Sequence, residues 1–263
     1  MSAESQGPDP VAAVFGHVND HVVEVGHLGP VPVVFSGHIL MSCIAGGLVL
    51  FLFLWLAGRM ARRRGLAPTG AVDNLFESFI LFIRDDVVMP NMGHHGHDHV
   101  HFFLTLFFFI LFANLLGMIP GGQTCTGNIS ITAALAVATF LYGTYQGMKA
   151  QGLLHYLRNL APAGVPGFVM PILYPIEVLG LLIKHGVLAV RLFANMMAGH
   201  LVIGVILALP ALILQSSVNA VSLPAFAMAA GISLLELFVA FLQAYVFTML
   251  GSLFVGAAVH PEH

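Results

Sequence analysis

Several ionisable side chains lie inside long apolar stretches of this sequence, where a charge is costly. The four charged ones are Glu177, Lys184, Arg191 and Glu236. A charge near the centre of a bilayer costs about 2.5–3.5 kcal/mol on insertion scales, so such residues usually pair or line a water-filled path. We therefore expect a functional site within a membrane. The alternative is a set of polar contacts that only stabilises the packing of two helices.

Residues on the first of these stretches have helical spacing. Glu177, Lys184 and Arg191 are seven residues apart, which is almost two helical turns, so they share one stripe of a helix. Asn195, four residues after Arg191, extends this stripe. His200 is nine residues after Arg191, or half a turn away in angle, and is predicted to face in another direction.

An antiparallel arrangement would bring the polar residues of the last two stretches together. Glu236 and Gln243 are also seven residues apart and share a helix face. Facing residues of an antiparallel pair have a nearly constant sum of residue numbers, and the pairs Arg191–Gln243 and His200–Glu236 fit one register. This register predicts an arginine–glutamine contact deep in the hairpin and a histidine–carboxylate contact nearer the outer surface.

The residue types at these positions suit proton movement. Arginine cannot be deprotonated in a protein, so Arg191 can hold a fixed positive charge without carrying a proton. Histidine titrates near neutral pH, and burial can tune a glutamate toward the same range, so His200 and Glu236 can relay protons. A fixed cation between titratable groups suits a pathway that conducts in two halves but not straight through.

The composition requires lipid as the main solvent. The chain has 263 residues, of which 58% are hydrophobic and 8% charged, with a mean hydropathy of +0.93. Soluble domains are about 25% charged, so a soluble protein is excluded. The nucleotide-binding pattern GxxxxGK[ST] is absent, and the two cysteines, Cys43 and Cys125, do not have the spacing of a zinc site.

Apolar stretches long enough to cross a bilayer, which takes about 20 residues, occur five times. They cover residues 39–58, 102–120, 129–148, 168–209 and 221–259. The last two exceed a bilayer core of about 30 Å, so each must tilt, break or project. We predict one all-α membrane domain over 39–259 whose last two helices are long, tilted and antiparallel. Residues 1–38 are predicted to be extracytoplasmic and 260–263 to form a cytoplasmic tail.

The basic residues predict the orientation, because Lys and Arg outside the spans mark the cytoplasmic side. They lie between spans one and two and between spans three and four, at Arg59, Arg62, Arg63, Arg64, Arg84, Lys149 and Arg158. The N-terminus is therefore predicted outside and the C-terminus inside. Residues 72–89 mix apolar and charged residues and predict an amphipathic helix at the inner surface. The first 30 or so residues lack the features of a signal peptide, which favours a bacterial inner membrane.

Four motifs resemble those of a known family. RLFANMMAGHL (191–201) and ELFVAFLQAYVFTML (236–250) are similar to subunit a of F-type ATP synthases, as are FFFILFANLLGMIPG (107–121) and NISITAALAVATF (128–140). The resemblance covers most of residues 104–255. It implies a non-catalytic, proton-translocating stator subunit, which couples proton flow to rotation and ATP synthesis.

The resemblance also implies roles for single residues. Arg191 is expected to face a rotating ring of c subunits, with Gln243 as its partner on the last helix and Asn195 in the same motif. His200 and Glu236 are expected to form the titratable pair of an outer half-channel.

Glu177 is expected to line the inner half-channel. Many bacterial family members carry an acid at the position of His200 and a histidine at that of Glu236. The exchange found here keeps one base and one acid together. The partners implied are the c-ring, the peripheral-stalk subunit b and membrane lipid. No cofactor, nucleic acid or small-molecule substrate other than the coupling ion is expected.

A histidine-rich tract, HHGHDHVH, covers residues 94–101. Imidazole is the commonest metal ligand, so five residues are candidate ligands: His94, His95, His97, His99 and His101. Short histidine-rich tracts are a compositional pattern only. We favour a polar loop at the membrane surface without a required metal.

Two other functions compete with proton translocation. A metal-ion transporter with a histidine-rich sensor loop needs acidic or histidine pairs within the first three spans. Those spans contain no acid or histidine; their polar side chains are the amides of Asn114 and Gln146 and hydroxyl or thiol groups. A non-conducting assembly protein needs no arginine, glutamate and histidine set inside the membrane.

Overall fold

A computed structural model describes seven segments of the chain. These are residues 22–28, 31–63, 70–93, 96–119, 124–159, 168–213 and 218–259. The described part is helical except for a hairpin of two antiparallel strands, β1 (Val22–Leu28) and β2 (Val31–Ser36), with an irregularity between Glu24 and Gly26. The sequence pattern predicts no element for this segment. Valine, whose branched side chain favours strands, recurs in both.

The first long helix, α1 (Gly37–Arg63), begins directly after β2. Near its end the guanidinium of Arg59 lies 4.7 Å from the ring centroid of Trp55 and 3.1 Å from the carboxylate of Asp73. Asp73 is in the first turn of α2 (Ala71–Leu81), where a negative charge also stabilises the positive end of the helix dipole. The ion pair therefore ties the end of α1 to the start of α2.

The amphipathic helix predicted over 72–89 is confirmed as helical structure. α2 continues into a π-helical turn (Phe82–Val88) and a short helix, α3 (Met89–Met92). Ile83, Val87 and Val88 are completely buried, whereas Asp85 and Asp86 are exposed. The apolar side of this segment packs against the helical bundle.

The centre of the bundle is α4 (Gly96–Gly117). Phe103, Phe107 and Phe108 on this helix are buried almost completely. Phe107 makes an edge-on contact with Phe241, with ring centroids 5.8 Å apart, which joins α4 to the C-terminal helix. Aromatic contacts of this kind stabilise the packing beyond the burial of apolar surface, so the buried rings of α4 form the core on which the other helices pack.

Two shorter elements follow α4. After a 3₁₀ turn (Cys125–Gly127) comes α5 (Ile129–Gln151). Its N-cap is Asn128, whose side chain accepts a hydrogen bond of 2.9 Å from the backbone N–H of Ser130. This N-cap satisfies an otherwise unpaired donor of the first turn. The C-cap of α5 is Gly152, which has a φ of 84°, and α6 (Leu153–Asn159) follows.

The predicted pair of long antiparallel helices is confirmed. α7 (Met170–Ile213) has 44 residues and α8 (Val218–Val259) has 42, so each is over 60 Å long at about 1.5 Å per residue. α8 packs against α7, α5 and α4. Residues 214–217, at the predicted turn between the two helices, lie outside the described part.

The fold is that of a multi-pass helical membrane protein. Among the described residues, four helical segments are long and apolar enough to cross a bilayer: Gly37–Arg59, Gly96–Gly117, Met170–Ala208 and Leu223–Val259. α5, the third predicted span, is long enough at 23 residues but is not among them. Tyr145, Gln146 and Lys149 make its second half more polar. Its crossing of the membrane, and with it the orientation of the chain, stays a prediction.

Candidate functional site

Arg191 lies on an apolar, uncovered face of α7. The neighbouring Leu188 and Leu192 are buried against the bundle, whereas Arg191 and Val190 are exposed. In the part of the chain that the structure describes, the guanidinium has no hydrogen bond or ion pair. A permanently charged group is thus presented outward from a helix that has the length and apolarity of a membrane span.

The other charged members of the predicted stripe lie on the same helix. Lys184 is exposed, and Glu177 is half-buried near the start of α7. Neither has an ion-pair partner among the described residues. Lys184 and Arg191 are thus both uncovered on the outer side of α7.

His200 and Glu236 are brought together, as the register predicts. The Nδ1 atom of His200 lies 2.8 Å from Oε1 of Glu236, and the two side chains are 29% and 6% exposed. Nδ1 also lies 3.0 Å from the carbonyl oxygen of Met196, one turn earlier. The ring N–H is directed at that carbonyl. Oε1 of Glu236 therefore has an ion-pair distance to His200 but no well-aligned hydrogen bond within the described residues.

The other ring nitrogen of His200 faces α4 and the turn after it. Nε2 lies 2.8 Å from the carbonyl oxygen of Gly117 and 2.8 Å from the hydroxyl oxygen of Thr124. A carbonyl oxygen can only accept, and each ring nitrogen has one within 3.0 Å. Both nitrogens are satisfied when both carry a proton. The geometry therefore fits an imidazolium opposite the Glu236 carboxylate.

A glycine makes the close approach of α7 and α8 possible. A Cβ on Gly199 would lie 2.6 Å from Oε1 and 2.9 Å from the carboxyl carbon of Glu236. Gly199, which directly precedes His200 in the AGH motif, is not among the residues predicted from the sequence. Its importance depends on the distance between two helices, which periodicity does not specify.

The predicted contact between Arg191 and Gln243 is not found. Gln243, which is 4% exposed, instead accepts a hydrogen bond of 3.4 Å from the side chain of Asn195. Between this contact and the His200–Glu236 contact, α7 advances by five residues and α8 by seven. The predicted register assumed equal rise on both helices, and this assumption placed Arg191 one turn too close to Gln243.

Asn114 on α4 is a further polar residue at this level, which the sequence identifies only as a polar side chain within a predicted span. It is completely buried, and its amide donates a hydrogen bond of 3.2 Å to the carbonyl oxygen of Ala240, which lies between Glu236 and Gln243. Four buried polar atoms of the described residues have no hydrogen-bond partner: Asn114 Oδ1, Thr126 Oγ1, Glu236 Oε1 and Gln243 Nε2. Such atoms need an explanation, and ordered water is the usual one.

The histidine-rich tract is partly helical, so the predicted loop is wrong for residues 96–101. His97 and His101 are exposed on one side of α4, while His99 is buried and lies 2.7 Å from the hydroxyl of Tyr142. Helical geometry separates alternate residues, which a loop would allow to converge. No group of three metal-ligand side chains occurs in the described part of the chain. His94 and His95 lie outside it.

The fold and the site together define a class: polytopic α-helical membrane proteins with ionisable residues inside a long helical hairpin. The family model described as ATP synthase A chain matches residues 39–256. The chain belongs to this family, which confirms the resemblance seen in its motifs.

Individual relatives agree with the family match. The chain is 44% identical over 260 residues to ATP synthase subunit a of Myxococcus xanthus, covering 97% of this chain and 84% of that protein. It is 41% identical over 253 residues to ATP synthase subunit a of Pelodictyon phaeoclathratiforme, covering 95% and 72%. It is 46% identical over 223 residues to ATP synthase subunit a 2 of Chlorobaculum tepidum, covering 84% of this chain and 62% of that protein.

Proposed function

We propose that this chain is the proton-translocating stator subunit of an ATP synthase. It provides two aqueous half-channels to carboxylates on a ring of c subunits, and Arg191 prevents a proton short-circuit between them. The chain itself carries out no covalent chemistry. Its membership of the ATP synthase A chain family supports this assignment.

The observation that carries the proposal is the guanidinium of Arg191, which lies on an uncovered apolar face and has no polar partner among the residues that the structure describes. A lone charge at this depth is costly, so a counter-charge from another protein is the simplest means of stabilising it. A ring carboxylate that has lost its proton supplies this charge. Because arginine keeps its proton, Arg191 attracts the ionised carboxylate but cannot pass a proton from one half-channel to the other.

The outer half-channel is proposed to contain His200 and Glu236. Three of the buried polar atoms without a hydrogen-bond partner belong to Glu236, Gln243 and Asn114. Glu236 and Gln243 are about two turns apart on α8, and Asn114 of α4 contacts Ala240 between them. Water that satisfies these atoms would connect the His200–Glu236 pair with Gln243 and the level of Asn195. This row supports a hydrated path that approaches Arg191 from one side of the membrane.

The His200–Glu236 pair can pass one proton at a time. When the Nδ1–H bond of His200 turns from the Met196 carbonyl toward Oε1 of Glu236, which lies 2.8 Å from Nδ1, its proton passes to that oxygen and leaves a neutral imidazole and a neutral carboxyl group. The carboxyl group then gives the proton to water in the path, and Nδ1 is reloaded from the outer side. Each proton that crosses 100 mV supplies about 2.3 kcal/mol, so a ring that passes several protons suits the synthesis of one ATP.

The inner half-channel is proposed to contain Glu177, which is half-buried near the other end of the stripe. With the N-terminus outside and the C-terminus in the cytoplasm of a bacterial cell, this end of α7 faces the cytoplasm. Subunit b and membrane lipid are the further partners proposed for the surface of the bundle. Release of the proton at Glu177 completes a passage in two separate halves.

Replacement of Arg191 tests the proposal. Arg191→Ala removes the fixed charge, and we expect assembled complexes without proton-driven ATP synthesis but with passive proton permeability. Both are measured in proteoliposomes of the whole complex. Lys184→Ala is the matched control, because Lys184 lies on the same exposed stripe of the same helix, and it is expected to keep coupling. Retained ATP synthesis in Arg191→Ala would exclude the proposed role.

A further inference from the structure

Thr124 lies where α1, α4 and α7 meet, and its hydroxyl faces the proton-carrying ring of His200. We propose that Thr124 is a positioning residue for proton transfer: its hydroxyl holds the proton on Nε2 of His200, so that exchange takes place at Nδ1, opposite Glu236. This inference rests on the proposed function and adds a residue to it.

The hydrogen bonds around Thr124 give its hydroxyl a definite direction. Oγ1 lies 3.3 Å from the carbonyl oxygen of Gly117, to which it donates. The same oxygen lies 2.8 Å from Nε2 of His200, so its lone pairs are free to accept from that nitrogen. The Nε2–H group is thus held by two acceptors, the Gly117 carbonyl and the Thr124 hydroxyl.

Thr124 is itself fixed in place. Its side chain is buried, and its carbonyl oxygen lies 2.9 Å from Nδ1 of His38, the second residue of α1. The methyl group packs onto Gly117, where a Cβ would lie only 2.5 Å from Cγ2 of Thr124. The glycine at the end of α4 therefore allows the threonine to approach closely enough to reach His200.

The two sides of the His200 ring differ in charge. From α8, Nδ1 faces the carboxylate of Glu236, which is the charged group opposite the ring in the described part of the chain. α4 and the residue before the 3₁₀ turn present only a neutral carbonyl and a neutral hydroxyl to Nε2. After a proton leaves Nδ1, the remaining proton stays on Nε2 because its acceptors cannot take it. The tautomer produced has its lone pair at Nδ1, ready to be reloaded.

A matched pair of variants separates the hydroxyl from the shape of the side chain. Thr124→Val keeps the volume and removes the hydroxyl, whereas Thr124→Ser keeps the hydroxyl and removes the methyl group. Proton-driven ATP synthesis is measured in proteoliposomes of the whole complex while the pH is varied on one side of the membrane at a time.

We expect Thr124→Val to lower the pH of half-maximal rate on one side only. Nε2 donates to Thr124 in both forms of the ring, but the hydrogen bond to the charged ring is about twice as strong, so loss of this acceptor favours the neutral ring. A difference of about one ordinary hydrogen bond corresponds to a shift of about 0.5–1 pH unit. Thr124→Ser is expected to keep the profile of the unchanged protein. Where Thr124→Val does not assemble, Thr124→Ala removes the hydroxyl without a bulky group and is measured instead, with the same expected shift.

Two results would overturn the inference. One is an unshifted pH profile in the variants without a hydroxyl. The other is an equal shift in Thr124→Ser, which would assign the effect to packing. Arg191→Ala is measured in parallel. If that variant still makes ATP, the proposed function itself fails. If it does not, an unshifted Thr124→Val removes only the role of Thr124.

Discussion

The central helix α4 and the C-terminal hairpin of α7 and α8 are both strongly apolar, but they differ in what covers them. Of the 18 residues that form the apolar stretch of α4, 56% are buried within the chain, whereas the corresponding shares are 17% in α7 and 22% in α8. Burial of apolar surface by the chain itself holds the fold together around α4. The long hairpin instead presents most of its apolar surface outward, to lipid or to another protein.

The polar residues of the two regions differ in the same way. On α4, the amide of Asn114 donates to Ala240, and His99 is hydrogen-bonded to Tyr142. On α7, Arg191 has no polar partner in the described residues. Within the bundle, polar groups mainly join helices. On the hairpin, the charge is left for a partner that the chain does not contain, which is the pattern expected of a subunit.

The largest effect on stability is expected at the centre of the bundle. Phe107→Ala removes a completely buried ring, and such truncations cost about 3–5 kcal/mol in protein cores. We expect a much lower unfolding temperature in detergent and little assembled complex. Phe238→Ala on α8 is the control, because Phe238 is 61% exposed, and it should leave the unfolding temperature nearly unchanged. Equal losses in both variants would contradict the difference between the two regions.

The next largest effect is expected at the buried acid of the hairpin. Glu236→Gln keeps the size of the side chain but removes the carboxylate that we propose accepts the proton from His200. Proton-driven ATP synthesis should fall at least about tenfold, as for the loss of a positioned acid–base group, while the complex still assembles. Coupling at the normal rate in this variant would show that the carboxylate is not on the proton path.

A smaller loss is expected where the two helices approach most closely. Gly199→Ala places a methyl group against the Glu236 carboxylate, which must move away from His200. We expect ATP synthesis to fall several-fold without loss of assembly. Gly186→Ala on the same helix is the matched control, because a Cβ there meets nothing within 4 Å. Similar rates in the two variants would show that the position of the carboxylate does not matter.

The smallest effect is expected at the ion pair between α1 and α2. Arg59→Gln removes the partner of Asp73, whose side chain is only 8% exposed, and a partly exposed pair contributes about 0–1 kcal/mol. A fall of a few degrees in unfolding temperature is expected. Arg84→Gln breaks the pair with Asp85, in which both side chains are well exposed, at 39% and 51%, and is expected to change nothing measurable. A larger effect at Arg84 than at Arg59 would reverse the expected order.

The sequence predicts the hairpin of α7 and α8 well, because a charge inside an apolar stretch is energetically costly and because both apolar stretches are long. Charges within apolar stretches identify Arg191 and Glu236, and helical spacing predicts the contact between His200 and Glu236. Spacing alone could not predict that Asn195 rather than Arg191 reaches Gln243, because that depends on how two helices cross. The close approaches at Gly199 and Gly117 depend on tertiary distances in the same way.

Other parts of the fold could not be predicted from the periodicity of the sequence, for different reasons. The β1–β2 hairpin is held by backbone pairing of two short valine-rich segments, which carry no helical pattern. The helical start of α4 at Gly96 replaces a predicted loop because a run of polar histidines resembles a connection. No sequence pattern identifies Thr124 as a functional residue, since a threonine near a turn is common. Its contact with His200 arises only when α4 and α7 pack together.

The central claim is that the guanidinium of Arg191 meets a carboxylate of a neighbouring ring of subunits inside the membrane. A density map of the intact complex, resolved well enough to place side chains, measures this distance directly. The account predicts Arg191 within about 4–6 Å of a ring carboxylate, the range over which opposite charges stabilise each other, with hydrated cavities on either side. An arginine that points into bulk solvent, or that lies away from any ring, would contradict the account.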